Sequence, residues 1–332
     1  MKTFLSFASS LALTASLLVV TSGCNRFENQ IQPESTPSGE ARVGGFDLSN
    51  GGFDPALFAS KIEAQLTGKV TGYGYRIMIN GQPYTKAAGG KGYARHLIDA
   101  PARVYTPVVR QDIGGCTKFM TAVVVLKMLK RYDVPLEETV WTYLPTYFKP
   151  STDFKKVTFR DLLAHTSGVV DRPKSAEYTI EDVQDSVEDG IFDQGEGSGG
   201  IGNGQKPYGQ YYYQHMNYML LRHALVYLVA KKDPNYIRMD FLLLKESRTD
   251  KSGLYDLIRH QFSFLLQQEV LKPAGWNQNQ YESVGDHPSD NGPNVLYYPV
   301  VNPAQPGSTG NGWSQVGTNF MNISADELAG LM

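Results

Sequence analysis

Hydrophobic positions follow two regimes along this chain. From Phe4 to Val20 they form one continuous run, preceded by Lys2 and closed by the small residues Thr21-Ser22-Gly23 before Cys24. Asn, Gln, Pro, Ser and Glu then dominate as far as Glu40, with too little apolar surface to fold. From Phe53 onward the pattern turns periodic. Leu57, Ile62 and Leu66 fall on one side of a helix over Pro55 to Leu66, and Tyr73, Tyr75, Ile77 and Ile79 alternate as a half-buried strand requires. Asn80-Gly81 follows at once. Both residues tolerate positive φ, so a hairpin is predicted, with its second strand around Pro83 to Ala88. Beyond Gly115, the residues Phe119, Ala122, Val123, Leu126 and Leu129 recur at three- and four-residue spacing, which predicts a helix burying that face.

Composition narrows this picture. A chain of 332 residues can bury a large core, in one domain or two. Hydrophobic content of 41% and a net charge of -2 fit a soluble globular body and argue against a nucleic-acid binder, which needs a basic stripe. The N-terminal run resembles a bacterial lipoprotein signal over residues 1–23, cleaved so that the Cys24 thiol carries the lipid; an ordinary signal peptide is the alternative. Residues 24–52 then read as a flexible linker and residues 53–332 as the folded domain, lipid-anchored in the bacterial cell envelope. With Cys24 lipidated, Cys116 has no partner for a disulfide and reads as a small buried apolar residue. No pattern for a metal or any other cofactor is found.

The segment Asp112-Ile113-Gly114-Gly115-Cys116-Thr117-Lys118-Phe119-Met120-Thr121-Ala122 opens the predicted helix. Further on stand Val134-Pro135-Leu136-Glu137-Glu138, Tyr143-Leu144-Pro145, and Leu162-Leu163-Ala164-His165-Thr166-Ser167-Gly168. Together, and with Thr106-Pro107 upstream, these strings resemble the serine beta-lactamase and penicillin-binding protein family. In that family a Ser-x-x-Lys element opens a central apolar helix. The spacing has a physical reason: residues three apart share a helix face, so the lysine can take the serine proton. Lys118 is at the lysine position, and Gly115 stands where the family has its serine. No Ser in the chain has Lys three residues later. Cys116 and Thr117 are the nearest nucleophilic side chains, but on an ideal helix they point about 100° and 200° away from position 115.

The family's second element is Tyr-x-Asn ahead of a helix. Tyr213 and His215, counted back from Leu220-Leu221, are the corresponding residues, so His215 replaces the asparagine. Lys272-Pro273-Ala274-Gly275-Trp276 resembles a later Pro-Leu-Gly-Met element, and Asp233 to Gly253 reads as an insertion. Asn319 to Met332 resembles the family's Ser-x-x-Asp-Leu helix; the third element, Lys-Thr-Gly or His-Thr-Gly, is not found after it, and the last strands of the fold are expected to be missing. Lys251-Ser252-Gly253 has the letters of that element but precedes Pro273 and reads as a polar turn. Thr158 and Asp161 suit a capping box, and His165, Thr166 and Ser167 are expected to shape a turn beneath the site. The stretch from Glu181 to Gln205, acidic and then glycine-rich, lacks the Gly-Lys-Ser/Thr ending of a phosphate loop and reads as a mobile loop near the site entrance.

The resemblance implies a mixed α/β fold of beta-lactamase/transpeptidase type: a sheet flanked by helices, plus a helical part. It also implies acyl-serine chemistry on a beta-lactam, a D-Ala-D-Ala peptide or an ester, with Lys118, Tyr213 and His215 as site residues. Gly115 points instead to a binding protein for peptidoglycan-like peptides or small acyl ligands. The alternative is a hydrolase acting through Cys116, or through a water activated by Lys118 and Tyr213.

Overall fold

The computed structural model describes residues 53–169, 178–191, 207–249, 251–275, 295–296, 298, 301, 303–307 and 322–331. The signal and linker readings, the glycines of 192–206 and Trp276 lie outside the described residues.

Helix α1 (Pro55–Leu66) starts where Asp54 accepts hydrogen bonds from the Ala56 and Leu57 amides at 2.9 and 3.1 Å, with Pro55 in the first turn, where its missing N–H costs nothing. It buries Ala59 and Ile62 against Tyr73, Tyr75 and Ile77, with Leu66 packed at the edge. Leu57, expected on this face, points to solvent. The true stripe runs through Ala59, a residue that carries little weight in an apolar pattern.

Strand β1 (Gly72–Ile79) pairs antiparallel with β2 (Gln82–Arg95) through a turn with φ of 51° at Asn80 and 74° at Gly81, the two positive values this tight hairpin needs. The second strand is longer than its sequence predicts. Its far half is glycine-rich because other backbone lies on it: a Cβ at Gly90 would be 2.7 Å from the Tyr105 carbonyl oxygen. Strand β3 (Arg103–Val104) completes the sheet in the order β1-β2-β3. A second ladder joins β4 (Gln111–Asp112) to β5 (Asn322–Ile323). Ser324 then caps α8 (Ala325–Leu331) with a reciprocal box: its hydroxyl accepts from the Glu327 amide at 3.1 Å, and the Glu327 carboxylate accepts from the Ser324 amide at 3.0 Å. Asp326 binds Arg76 of β1 and Glu327 binds Arg110, so α8 is fastened to the sheet.

The helical part contains α2 (Thr117–Arg131), α3 (Phe159–Leu163), α4 (Ile180–Glu188), α5 (His215–Lys232), α6 (Met239–Glu246) and α7 (Ser252–Leu266). Helix α5 is its axis. Every residue from Met216 to Ala230 is buried, as expected of a helix apolar on all sides. Helix α2 packs on it with Met120, Val124, Val125, Met128 and Leu129 inward. Of the expected inward face only Leu129 is buried; Phe119 is 53% and Leu126 45% exposed, while Ala122 and Val123 lie at the edge. Two apolar stripes overlap on this helix, and spacing alone does not rank them.

Thr158 and Asp161 form the predicted capping box at α3, and Thr179 with Asp182 forms another at α4. The acidic half of the expected loop is therefore helix, with Val183 and Val187 buried and Glu181, Gln184 and Asp185 outside the fully buried set. Lys251-Ser252-Gly253 is not a turn on its own but the opening of α7. The segment from Asp233 to Gly253 is built into the core: Glu246 of α6 accepts hydrogen bonds from the Thr146 amide at 3.0 Å and the Tyr227 hydroxyl at 2.5 Å. The architecture is thus a mixed α/β fold, a sheet with flanking helices joined to a helical part.

Candidate active site

Position 115 lies in a 3-10 turn, Gly114–Cys116, between strand β4 and helix α2. Asp112 holds the turn by accepting from the Gly114 amide at 2.7 Å, and Gly114 takes a φ of +53°, which a side chain would strain. Cys116 is half-buried and packs against the main core. Thr117 and Lys118 are buried in the first turn of α2.

The structure brings the three expected side chains together. Lys118 Nζ donates to the Tyr213 phenol oxygen at 2.6 Å and lies 3.3 Å from His215 Nδ1. It also sits 4.6 Å from the centre of the Tyr213 ring, where the π face attracts a cation. Tyr213 comes from the extended segment before α5, and His215 is the first residue of that helix. Burial and then the Lys118 charge push His215 down to about 3, so its imidazole is neutral near pH 7. A neutral ring whose Nδ1 faces an ammonium carries its proton on Nε2.

The turn expected beneath the site forms a second layer, to which Asn217 adds a residue the sequence reading did not assign. The His165 ring lies between Tyr213 and Tyr218, with centroids 4.7 and 5.1 Å away. His165 Nδ1 accepts from Asn217 Nδ2 at 3.1 Å and from the Gln214 amide at 3.3 Å. Asn217 in turn accepts from the Ser167 hydroxyl at 2.5 Å, and that hydroxyl accepts from the Val169 amide at 3.1 Å. The turn has positive φ at His165 (57°) and Gly168 (67°), and two of its carbonyls fasten the Tyr213 segment: His165 to the Tyr212 amide and Thr166 to the Gly209 amide, both at 2.8 Å. The turn is a bracket that aims Tyr213 at Lys118. His165 is also pushed down to about 3, by burial first and Lys118 second. The signal for Asn217 was present as a lone amide inside the apolar run from Met216 to Leu221.

Chemically, a lysine and a tyrosine 2.6 Å apart can take a proton from a nearby hydroxyl and return it when one of the two is deprotonated, as neutral amine or phenolate. Gly115 supplies no such group. The remaining donors suit a carbonyl or carboxylate oxygen. Among the described residues no grouping of three His, Cys, Asp or Glu side chains could hold a metal ion.

Protein flp of Staphylococcus aureus (strain NCTC 8325 / PS 47) is 25% identical over 177 residues, which are 53% of this chain and 33% of that protein. The chain therefore spans about a third of the length of this curated relative. Among solved structures, FmtA from Staphylococcus aureus has a TM-score of 0.55 at 18% identity, covering 84% of this chain and 63% of that one. A beta-lactamase/D-alanine carboxypeptidase from Yersinia pestis, complexed with citrate, has a TM-score of 0.53 at 15% identity, covering 83% and 68%. A D-stereospecific amidohydrolase from Streptomyces sp. has a TM-score of 0.52 at 16% identity, covering 84% and 72%. These likenesses share the fold, and the Beta-lactamase family model matches residues 58–228, more than half of the 332. The chain belongs to the serine beta-lactamase and penicillin-binding protein family.

Proposed function

We propose that this family member keeps the ligand pocket, lacks acyl-serine chemistry, and binds peptidoglycan-like peptides or small acyl ligands at the envelope. The observation that carries this reading is Gly115, three residues before a Lys118 still held against Tyr213 and His215. The proton-handling pair is assembled, and the atom it would activate is missing. Two solved relatives are named for D-alanine carboxypeptidase and D-stereospecific amidohydrolase activity, which supports a D-configured amide as the ligand class. Lipid on Cys24 would hold the protein to the membrane; no described helix is long and apolar enough to cross one.

The test is covalent labelling. The full chain is incubated with a labelled penicillin and with a fluorophosphonate, and its intact mass is measured. The expected result is no adduct, alongside an adduct at position 115 in the Gly115→Ser variant. A wild-type adduct overturns the reading. If that adduct maps to Cys116 and vanishes in Cys116→Ala, the active-hydrolase alternative takes its place. Saturable binding of a peptide ending in D-Ala-D-Ala, weakened by Lys118→Met, is the expected positive outcome. Metabolic labelling with a fatty acid, lost in Cys24→Ala, tests the anchor separately.

A further inference from the structure

Away from the site, helix α6 turns Leu242 and Glu246 inward and a different set of residues outward. Phe241, Leu243 and Leu244 are 49%, 44% and 52% exposed. Phe241 and Leu244, three residues apart, share one side of this helix, and Leu243 stands beside it. Phe264 of α7 is also exposed, and its ring lies 5.7 Å from that of Tyr236, just ahead of α6 in the chain.

The surroundings of this face are basic. The Arg238 guanidinium lies 4.5 Å from the centre of the Phe241 ring, and Lys245 and Arg248 follow along the helix and beyond its end. Lys231 and Lys232 stand exposed at the end of α5. From Lys231 to Lys251 the sequence carries six basic residues (Lys231, Lys232, Arg238, Lys245, Arg248 and Lys251) against four acidic ones (Asp233, Asp240, Glu246 and Asp250). Arg238 and Asp240 pair with each other, Glu246 is buried, and Asp233 accepts from the Asn235 and Tyr236 amides, so the segment's surplus is two positive charges. The segment that carries α6 thus has a positive surplus in a chain whose net charge is -2, with Arg238 at the Phe241 ring.

An exposed aromatic and leucine face with Lys and Arg at its border is the signature of a helix lying in the plane of a bilayer, apolar side chains among the acyl tails and cations at the phosphates. Long basic side chains suit that border, since their stems pack on apolar surface while their heads reach water and headgroups. We propose that the α6 face formed by Phe241, Leu243 and Leu244 docks on an anionic phospholipid surface through these side chains and the cations around them. The inference does not rest on the reading of the pocket or on lipidation of Cys24. An anchor would add to the contact without creating it.

The test reads depth at one residue in the full chain. In a Cys24→Ser, Cys116→Ser background, Leu244→Cys carries an environment-sensitive fluorophore, and Ser60→Cys, exposed on α1, carries the same label as control. Both proteins are mixed with vesicles of phosphatidylcholine alone or with phosphatidylglycerol, each containing a nitroxide quencher in the acyl region. The expected result is quenching and a blue shift of the 244 label in the anionic vesicles alone. Raising the salt, or the pair Arg238→Ala and Arg248→Ala, should reduce both to the neutral-vesicle level. The Ser60 label should stay unquenched, so that tethering by the N-terminal run is told apart from docking of the helix. Equal quenching at 60 and 244 overturns the proposal, as does equal quenching in the two vesicle types. Circular dichroism of each variant confirms that the fold is retained.

Discussion

At position 115 the chain carries no hydroxymethyl group, one of three departures from the family's motifs, beside His215 and the third element not found. Lys118 and Tyr213 already stand 2.6 Å apart, so Gly115→Ser tests whether a hydroxyl there is enough for acylation. In that background Lys118→Met should slow acylation by about 10²–10⁴-fold, the usual contribution of a positioned proton acceptor, measured as the rate of penicillin adduct formation. The neighbouring glycine has a different role. Gly114 holds a φ of +53° and a Cβ there would meet nothing within 4 Å, so the strain of a side chain is purely conformational. Gly114→Ala should therefore cost about 1–2 kcal/mol in urea unfolding, without cavity or clash. At this scale the sequence was informative, because Gly115, Lys118, Tyr213 and His215 could each be placed by counting from a motif. The contact between Lys118 and His215 joins residues 97 positions apart, so it was expected only through the family resemblance and not from local pattern.

Among the elements, the Thr158 cap, the hairpin and the buried face of β1 were legible, and the inward sides of α1 and α2 were not. Thr158 with Asp161 and Asn80 with Gly81 act through residues next to them in the chain, so their geometry follows from local chemistry. Which side of α2 is inward depends on what packs there. Met128→Ala should cost about 2–5 kcal/mol, whereas Leu126→Ala, on the half-exposed side, should stay within about 1 kcal/mol, both read from chemical denaturation. Equal costs would show that the helix is buried on both stripes. The same limit explains α1, where Ala59 rather than Leu57 turns inward.

Over the whole molecule, three histidines share one electrostatic fate. His165, His215 and His223 are all pushed down from an ordinary 6.5 to about 3, by burial first in each case, with Lys118 or Arg222 second. Their folded values lie below their unfolded ones, so the stability they favour is present above about pH 6.5 and is lost as pH falls toward 3. At pH 5 each should lower stability by up to about 2 kcal/mol relative to pH 7, at 1.36 kcal/mol per pH unit. Urea midpoints measured between pH 7 and 5 check this, and His223→Gln should flatten the slope if the buried helix α5 tolerates the amide. Docking of α8 is the other molecule-wide feature. Arg110→Met would leave the Glu327 carboxylate largely buried without its guanidinium and should cost about 3 kcal/mol, by the same measurement.

The sequence by itself determined the family, the mixed α/β class, the hairpin, the Thr158 cap and, through the resemblance, that Lys118, Tyr213 and His215 belong together. Each rests on side chains close together in the chain, or on strings specific enough to count from. Tertiary structure alone decided which helix faces are inward, that the residues from Glu181 to Glu188 belong to a helix, that α6 is built into the core, and that His165 and Asn217 brace Tyr213. Those outcomes depend on burial against distant residues and on neutral imidazoles held beside an ammonium. Free energies of that kind come from what surrounds a residue in space, which local pattern does not contain.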